Sequence, residues 1–149
     1  MNEQVDTSGS RYWVNIVALE HVEKSVAEGY VQAAKGEGIF ASGDYVVFYS
    51  PRTHFRNGKS LQEFTAMGIV GPAIADGDKP KGVSAPCFTM EFFSSRRAAI
   101  QPMVEELTFL PDKEKWELPY RRGAFSISKD DYSRIAEAMA RSAAPTDDD

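Results

Sequence analysis

The sequence predicts an α+β fold, a curved mixed β-sheet or barrel flanked by short helices, on three observations. Five or six short runs are rich in aromatic and β-branched residues, and three amphipathic segments recur at helical spacing. The two kinds do not alternate regularly, as a doubly wound parallel sheet would require. With 149 residues, 42% of them hydrophobic and 11% aromatic, there is material for one core.

The ends are read as disordered: residues 1–10 as a polar leader and 142–149 as an acidic tail, with a single domain over 11–141. The net charge of -5 is carried at those ends, by Glu3 and Asp6 and by Asp147, Asp148 and Asp149. Subtracting these acids (-5 + 5 = 0) leaves a formally neutral body with separate basic spots, too sparse for strong nonspecific binding to a phosphate backbone.

The first run, YWVNIVA from Tyr12 to Ala18, reads as a strand. Tyr12, Val14 and Ile16 take one face; Trp13, Asn15 and Val17 take the other. Leu19, Val22 and Val26 then recur at helical spacing before Gly29, a short helix stopped by glycine. Tyr30 to Ala34 is extended and Gly36-Glu37-Gly38 a turn, whose glycine spacing lacks the third glycine of a dinucleotide loop.

Asp44 to Tyr49 is a buried strand, and Leu61 to Val70 another, reached through the polar loop Arg52 to Ser60. Proline and glycine make Gly71 to Pro86 a long connection, a candidate rim or lid. Cys87 to Phe93 is a strand. Ile100, Met103, Val104 and Leu107 fall at i, i+3, i+4 and i+7 and predict a second helix, with Pro102 in its first turn. After a last strand at Gly123 to Ile127, Ser128 and Asp131 read as a capping box opening a helix whose buried stripe is Tyr132, Ile135, Ala136 and Met139.

No run approaches the roughly 20 apolar residues of a membrane span, so a soluble, cytoplasmic protein without a membrane partner is expected. Cys87 stands alone in an apolar stretch and reads as a core residue; with His21 and His54 far apart, no metal-ligand spacing exists and no cofactor is expected. Ser50 lacks a Gly-x-Ser-x-Gly elbow and His54 has no neighbouring carboxylate, so no catalytic residue is assigned; an enzyme on a small nucleotide-like ligand would have to use Ser50, His54 or Glu63. A module binding protein through exposed aromatics is the third alternative.

What recurs instead is an aromatic beside a small polar group: Trp13 with Asn15, Tyr30 with Gln32, Tyr49 with Ser50 and Thr53. A ring to stack on and an amide or hydroxyl to read an edge are what holds one extruded base. Trp13 serves equally as a core residue and Asn15 as a turn cap.

The ordered set Tyr12-Trp13-Val14-Asn15-Ile16-Val17, Glu20-His21-Val22, Gly43 through Pro51, Phe64 through Val70, Pro111-Asp112-Lys113 through Trp116, Tyr120 through Phe125 and Asp131-Tyr132 to Met139 resembles the EVE domain family. The resemblance covers nearly all of Arg11 to Met139. It implies a PUA-like barrel of mixed sheet and helices, similar to YTH domains, and a non-catalytic module recognising a modified nucleobase in DNA or RNA. It further implies a pocket lined by Trp13, Asn15, Gln32, Tyr49, Ser50 and Pro51, with the strand leaving the core at Tyr49. From charge, Arg52, Arg121 and Arg122 are then candidates for flanking phosphates; Trp116 is read as core. Between Tyr30 and Gly38 the sequence VQAAKGEG departs from the family, so the identity of the base does not carry over.

Overall fold

Alternation along the first run builds the centre of the molecule. The computed structural model describes residues 10–32, 40–83, 85–110, 114 and 116–143, the side chains of Arg121 and of 141–143 apart. Strand β1 (Tyr12–Ile16) sends Val14 and Ile16 into one buried cluster and Trp13 into another, as a two-residue period dictates. The leader 1–9, the turn at 36–38, the stretch 111–113 and the tail 144–149 lie outside the described residues.

Helix α1 (Leu19–Glu28) ends at Gly29, whose φ of 72° is the left-handed cap that glycine adopts freely and whose N–H bonds Ser25 O at 2.7 Å. The strands that follow are β2 (Tyr30–Gln32), β3 (Tyr45–Arg52), β4 (Ser60–Ala73), β5 (Cys87–Phe92), the two-residue β6 (Ala98–Ala99) and β7 (Ala124–Ile127), before helix α2 (Lys129–Ala143). They form one mixed sheet in the order β2-β5-β4-β3-β1-β7, with β6 on β4. Among the described strands only β1 and β3 pair in parallel, and the crossover between them contains α1 and β2. The described hydrogen-bonded path ends at β2 and β7, so the α+β fold is realised as a mixed sheet rather than a closed barrel.

The two faces of the sheet carry separate cores. One holds Val14, Ile16, Val47, Tyr49 and Phe64 against Ile135 and Met139 of α2. The other holds Trp13, Val46, Phe48 and Met90 against Val22 of α1. Asp44 ties this second core to the chain that enters it. Its buried carboxylate accepts the Arg11 N–H (3.1 Å), the Ala41 N–H (2.9 Å), the Trp13 indole N–H (3.0 Å) and the Arg11 guanidinium (3.3 Å).

Several expectations are corrected. Ile100, Met103, Val104 and Leu107 are all buried, but only Gln101–Met103 forms a 3₁₀ turn and no α-helix follows. The spacing reported burial correctly; a chain that turns sharply over a core can bury the same positions without continuing as a helix. Val26 is exposed, because α1 faces the sheet through Val22 and Ser25. Ser128 does cap α2, accepting the Asp131 N–H at 3.0 Å. The reciprocal half of the box is not made: the Asp131 carboxylate turns to the Thr108 N–H (3.0 Å) and hydroxyl (2.5 Å), fastening the 101–110 segment to the helix start.

Strand β3 also outruns its expected end. Register shifts at Phe48/Tyr49 and Ser50/Arg52 let the strand pass Pro51, which cannot donate a ladder bond. Tyr49 and Ser50 therefore stay in the sheet instead of leaving it.

Where β4 crosses β5, Gly68 pairs with Phe92, and a Cβ at Gly68 would collide with the Glu91 carbonyl oxygen. Gly68→Ala is expected to lower the unfolding free energy by about 1–3 kcal/mol, the usual cost of overpacking. Urea denaturation checks this; an unchanged midpoint would contradict the closeness of the two strands.

Candidate nucleobase-binding cleft

The second core does not close at the C-terminal end of β1. There α1, β2, the 53–58 loop, the connection after β4 and the 3₁₀ turn Tyr120–Arg122 surround a cleft of about 710 Å³, within the range of about 300–1,000 Å³ usual for ligand sites.

Asn15 stands in its wall. It lies on the central strand β1, opposite Phe48 of β3 and Ala124 of β7, and is only 4% exposed. No hydrogen bond within the described protein holds its side-chain amide, which opens onto the cleft. An amide that faces an open cleft without a protein partner is free to bond a ligand or water.

The neighbouring walls pair rings with polar groups. Phe48 and Tyr30 line the interior, and Ser25 on α1 and Gln32 at the end of β2 add a hydroxyl and an amide. On the far side Phe55, 53% exposed, packs edge-on against Tyr120, with ring centroids 5.1 Å apart. The Tyr120 hydroxyl is buried without a hydrogen-bond partner among the described residues. Burial, with the Glu20 carboxylate acting in the same direction, pushes the pKa of Tyr120 up against the opposite pull of the Arg52 charge. Burial, with Glu28 and Cys87 beyond it, raises Tyr30 as well. Near neutral pH both phenols are neutral hydroxyls able to donate, as tyrosine ordinarily is.

The 53–58 loop that carries Phe55 is fastened to α1 at two points. Glu20 N–H donates to Thr53 O at 3.0 Å, and the Phe55 N–H donates to the Glu20 carboxylate at 3.1 Å. The same carboxylate lies 3.6 Å from the His21 ring, and His21 and Lys24 bring basic groups to the cleft from α1.

Of the residues expected at the pocket, Asn15 and Gln32 line this cleft and the others do not. Trp13 shares the Asn15 face, but its ring is 3% exposed, meets Phe40 edge-on at 5.4 Å and gives its N–H to Asp44. It is packed inside the second core and offers no open face for stacking. Tyr49 points to the opposite side of the sheet, against Phe64, and burial raises its pKa. The Ser50 hydroxyl is fully buried and shares a 2.9 Å hydrogen bond with Thr65. Pro51 continues β3 beyond them. The pairing explains the change: Asn15 is in register with Phe48 and Ile16 with Tyr49, so it is Phe48 that neighbours Asn15 on one face.

The arginines are also placed apart from the expectation. Arg52 donates to Gly58 O at 2.6 Å, bracing the loop, and Arg122 lies 3.8 Å over the Phe125 ring. The Arg121 side chain lies outside what is described. Trp116 packs against the first core.

The residues an enzyme would use are dispersed. None of Ser50, His54 and Glu63 lines the cleft; His54 bonds Thr53 in the exposed loop, and Glu63 lies 3.3 Å from Arg97. Among the described residues no group of three or more His, Cys, Asp or Glu side chains is placed to hold a metal ion, and no helix is long and apolar enough to cross a membrane.

Phe55 and Tyr120 were not expected at the site, although the sequence offered a signal for each. Phe55 is an aromatic in an otherwise polar loop, and Tyr120 opens a turn that ends at Gly123; only the fold brings both to Asn15.

No family model matches the chain. Two solved structures share its fold: the YTH domain-containing protein mmi1 in a complex with RNA (TM-score 0.61, 13% identity, 87% of this chain and 81% of that one) and ASCH from Zymomonas mobilis (TM-score 0.53, 9% identity, 87% and 96%). In sequence the chain is 34% identical to a UPF0310 protein of Mycobacterium avium, covering 87% of this chain and 98% of that one. It is 36% identical to one of Mycolicibacterium gilvum (86% and 94%) and 30% identical to one of Bacillus subtilis (87% and 92%). Identity at that level over nearly the whole length of both partners makes the chain a member of the UPF0310 family.

Proposed function

We propose that the chain is a non-catalytic reader of nucleic acid, of the kind the EVE resemblance implies, that takes one extruded, modified base into the cleft beside Asn15. The observation that carries this reading is the Asn15 amide, which has no protein partner and opens onto a cleft that Tyr30, Phe48, Phe55 and Tyr120 also line. An amide presents a donor and an acceptor side by side, which matches the edge of a base. Phe55 and Tyr30 supply ring surface, and the hydroxyls of Tyr120 and Ser25 supply further contacts. The likeness to a YTH domain solved with RNA supports the same reading through the fold alone.

The test is a fluorescence-anisotropy panel at fixed moderate salt, with DNA and RNA strands carrying methylated or hydroxymethylated cytosine or methylated adenine, each against its unmodified partner. A preference of about tenfold for one modification, or about 1.4 kcal/mol, is expected. Phe55→Ala should weaken that strand by about 1–3 kcal/mol, the contribution of one stacked base. Equal binding across the panel would overturn the proposal.

A further inference from the structure

We infer that Lys24 is the anion contact of the cleft, so that the phosphate attached to the bound base lies along α1; this rests on the base-binding reading above. His21, Lys24 and Ser25 fall at i, i+3 and i+4 and share one helix face, and all three line the cleft. The groups deeper in, Asn15, Tyr30 and Phe48, carry no charge. A ligand that matches this layout is a neutral heterocycle with a negative group on its α1 side.

Lys24 is exposed and forms no ion pair among the described residues. Its i-4 neighbour Glu20 would ordinarily hold it across one helical turn. That carboxylate is instead drawn away to the Phe55 N–H and the His21 ring. The same contacts that set the aromatic wall therefore leave an ammonium group at the rim with no ion pair among the described residues. Other cations are committed elsewhere: Arg52 to Gly58 O, Arg122 to the Phe125 ring, Arg97 to Glu63 and Arg134 to Glu106. A lysine suits this position, since its compact charge on a flexible stem follows a phosphate through small changes of pose.

The experiment compares the parent protein with Lys24→Gln and Arg122→Gln, using the tightest-binding single strand of the panel over a series of salt concentrations. The free nucleoside of the same base, which has no phosphate, is the second probe. Removing one contact to a single-stranded phosphate should reduce the slope of log K against log salt by about 0.7. That reduction is expected for Lys24→Gln and not for Arg122→Gln, with nucleoside affinity and base preference unchanged in both. A modified-base preference retained with an unchanged slope in Lys24→Gln would overturn the Lys24 assignment alone. Equal loss of nucleoside and strand binding would also overturn it, because the lysine would then act on the base. Absence of any base preference in the parent protein would overturn the base-binding reading and this assignment with it.

Discussion

Replacing Asp44 with alanine will lower the unfolding free energy by about 1–3 kcal/mol, the cost of leaving a buried donor without its acceptor. The carboxylate is 1% exposed and accepts from two backbone N–H groups, the Trp13 indole and the Arg11 guanidinium. Alanine leaves the first three donors without their acceptor, and the Trp13 indole N–H, whose bond is buried, carries the largest desolvation. Arg11→Ala should cost much less, about 0–1 kcal/mol, because its side chain is half-exposed and such pairs contribute little. Chemical denaturation of the two variants gives the comparison. Equal losses would mean that the salt bridge, and not the set of N–H bonds, is what Asp44 supplies.

The second large effect runs in opposite directions for stability and binding. Asn15→Leu keeps nearly the same shape but removes an amide that has no protein partner and opens onto the cleft. Replacing an unsatisfied polar group by an apolar one of similar size is neutral or stabilising. The free protein should therefore be as stable as the parent or more so, by up to about 1 kcal/mol, while affinity for the preferred strand falls about tenfold or more, since the base edge is left unpaired. Stability and function pull apart in this way at residues kept for a ligand. A variant that unfolds more easily and still binds would show that Asn15 is structural.

Parts of this arrangement are legible in the sequence, where the cause is local. A two-residue period places Val14 and Ile16 apart from Trp13 and Asn15, Gly29 stops the first helix, and the stripe from Tyr132 to Met139 is buried on α2. The sequence-level assignments that moved depend on what pairs with what. Nothing local says that β1 lies parallel to β3 with Asn15 beside Phe48, and that one register turns Tyr49 away from the cleft. The buried spacing from Ile100 to Leu107 fits a helix or a tight turn equally well, and the core selected the turn. Trp13 was legible as an aromatic on the right face, but its fate was decided by Asp44, 31 residues away. Phe55 and Tyr120 meet only because β3 and β4 hold out their connecting loop and α1 fastens it. Asn15 and Gln32 needed least from the long-range fold, and they are the two expected pocket residues that line the cleft.

A second aromatic surface gives the account a clear competitor. On the other face of the sheet Tyr12 stacks on Tyr45 at 5.3 Å, with exposed Phe93 6.3 Å from Tyr45. The most direct measurement is therefore a two-dimensional amide NMR titration of the whole chain with the preferred oligonucleotide, following the side-chain amides of Asn15 and Gln32. The account predicts that both shift together with the backbone of Phe55 and Lys24, while residues around Tyr12, Tyr45 and Phe93 stay in place. Shifts confined to that opposite face, with the Asn15 amide unmoved, would contradict it.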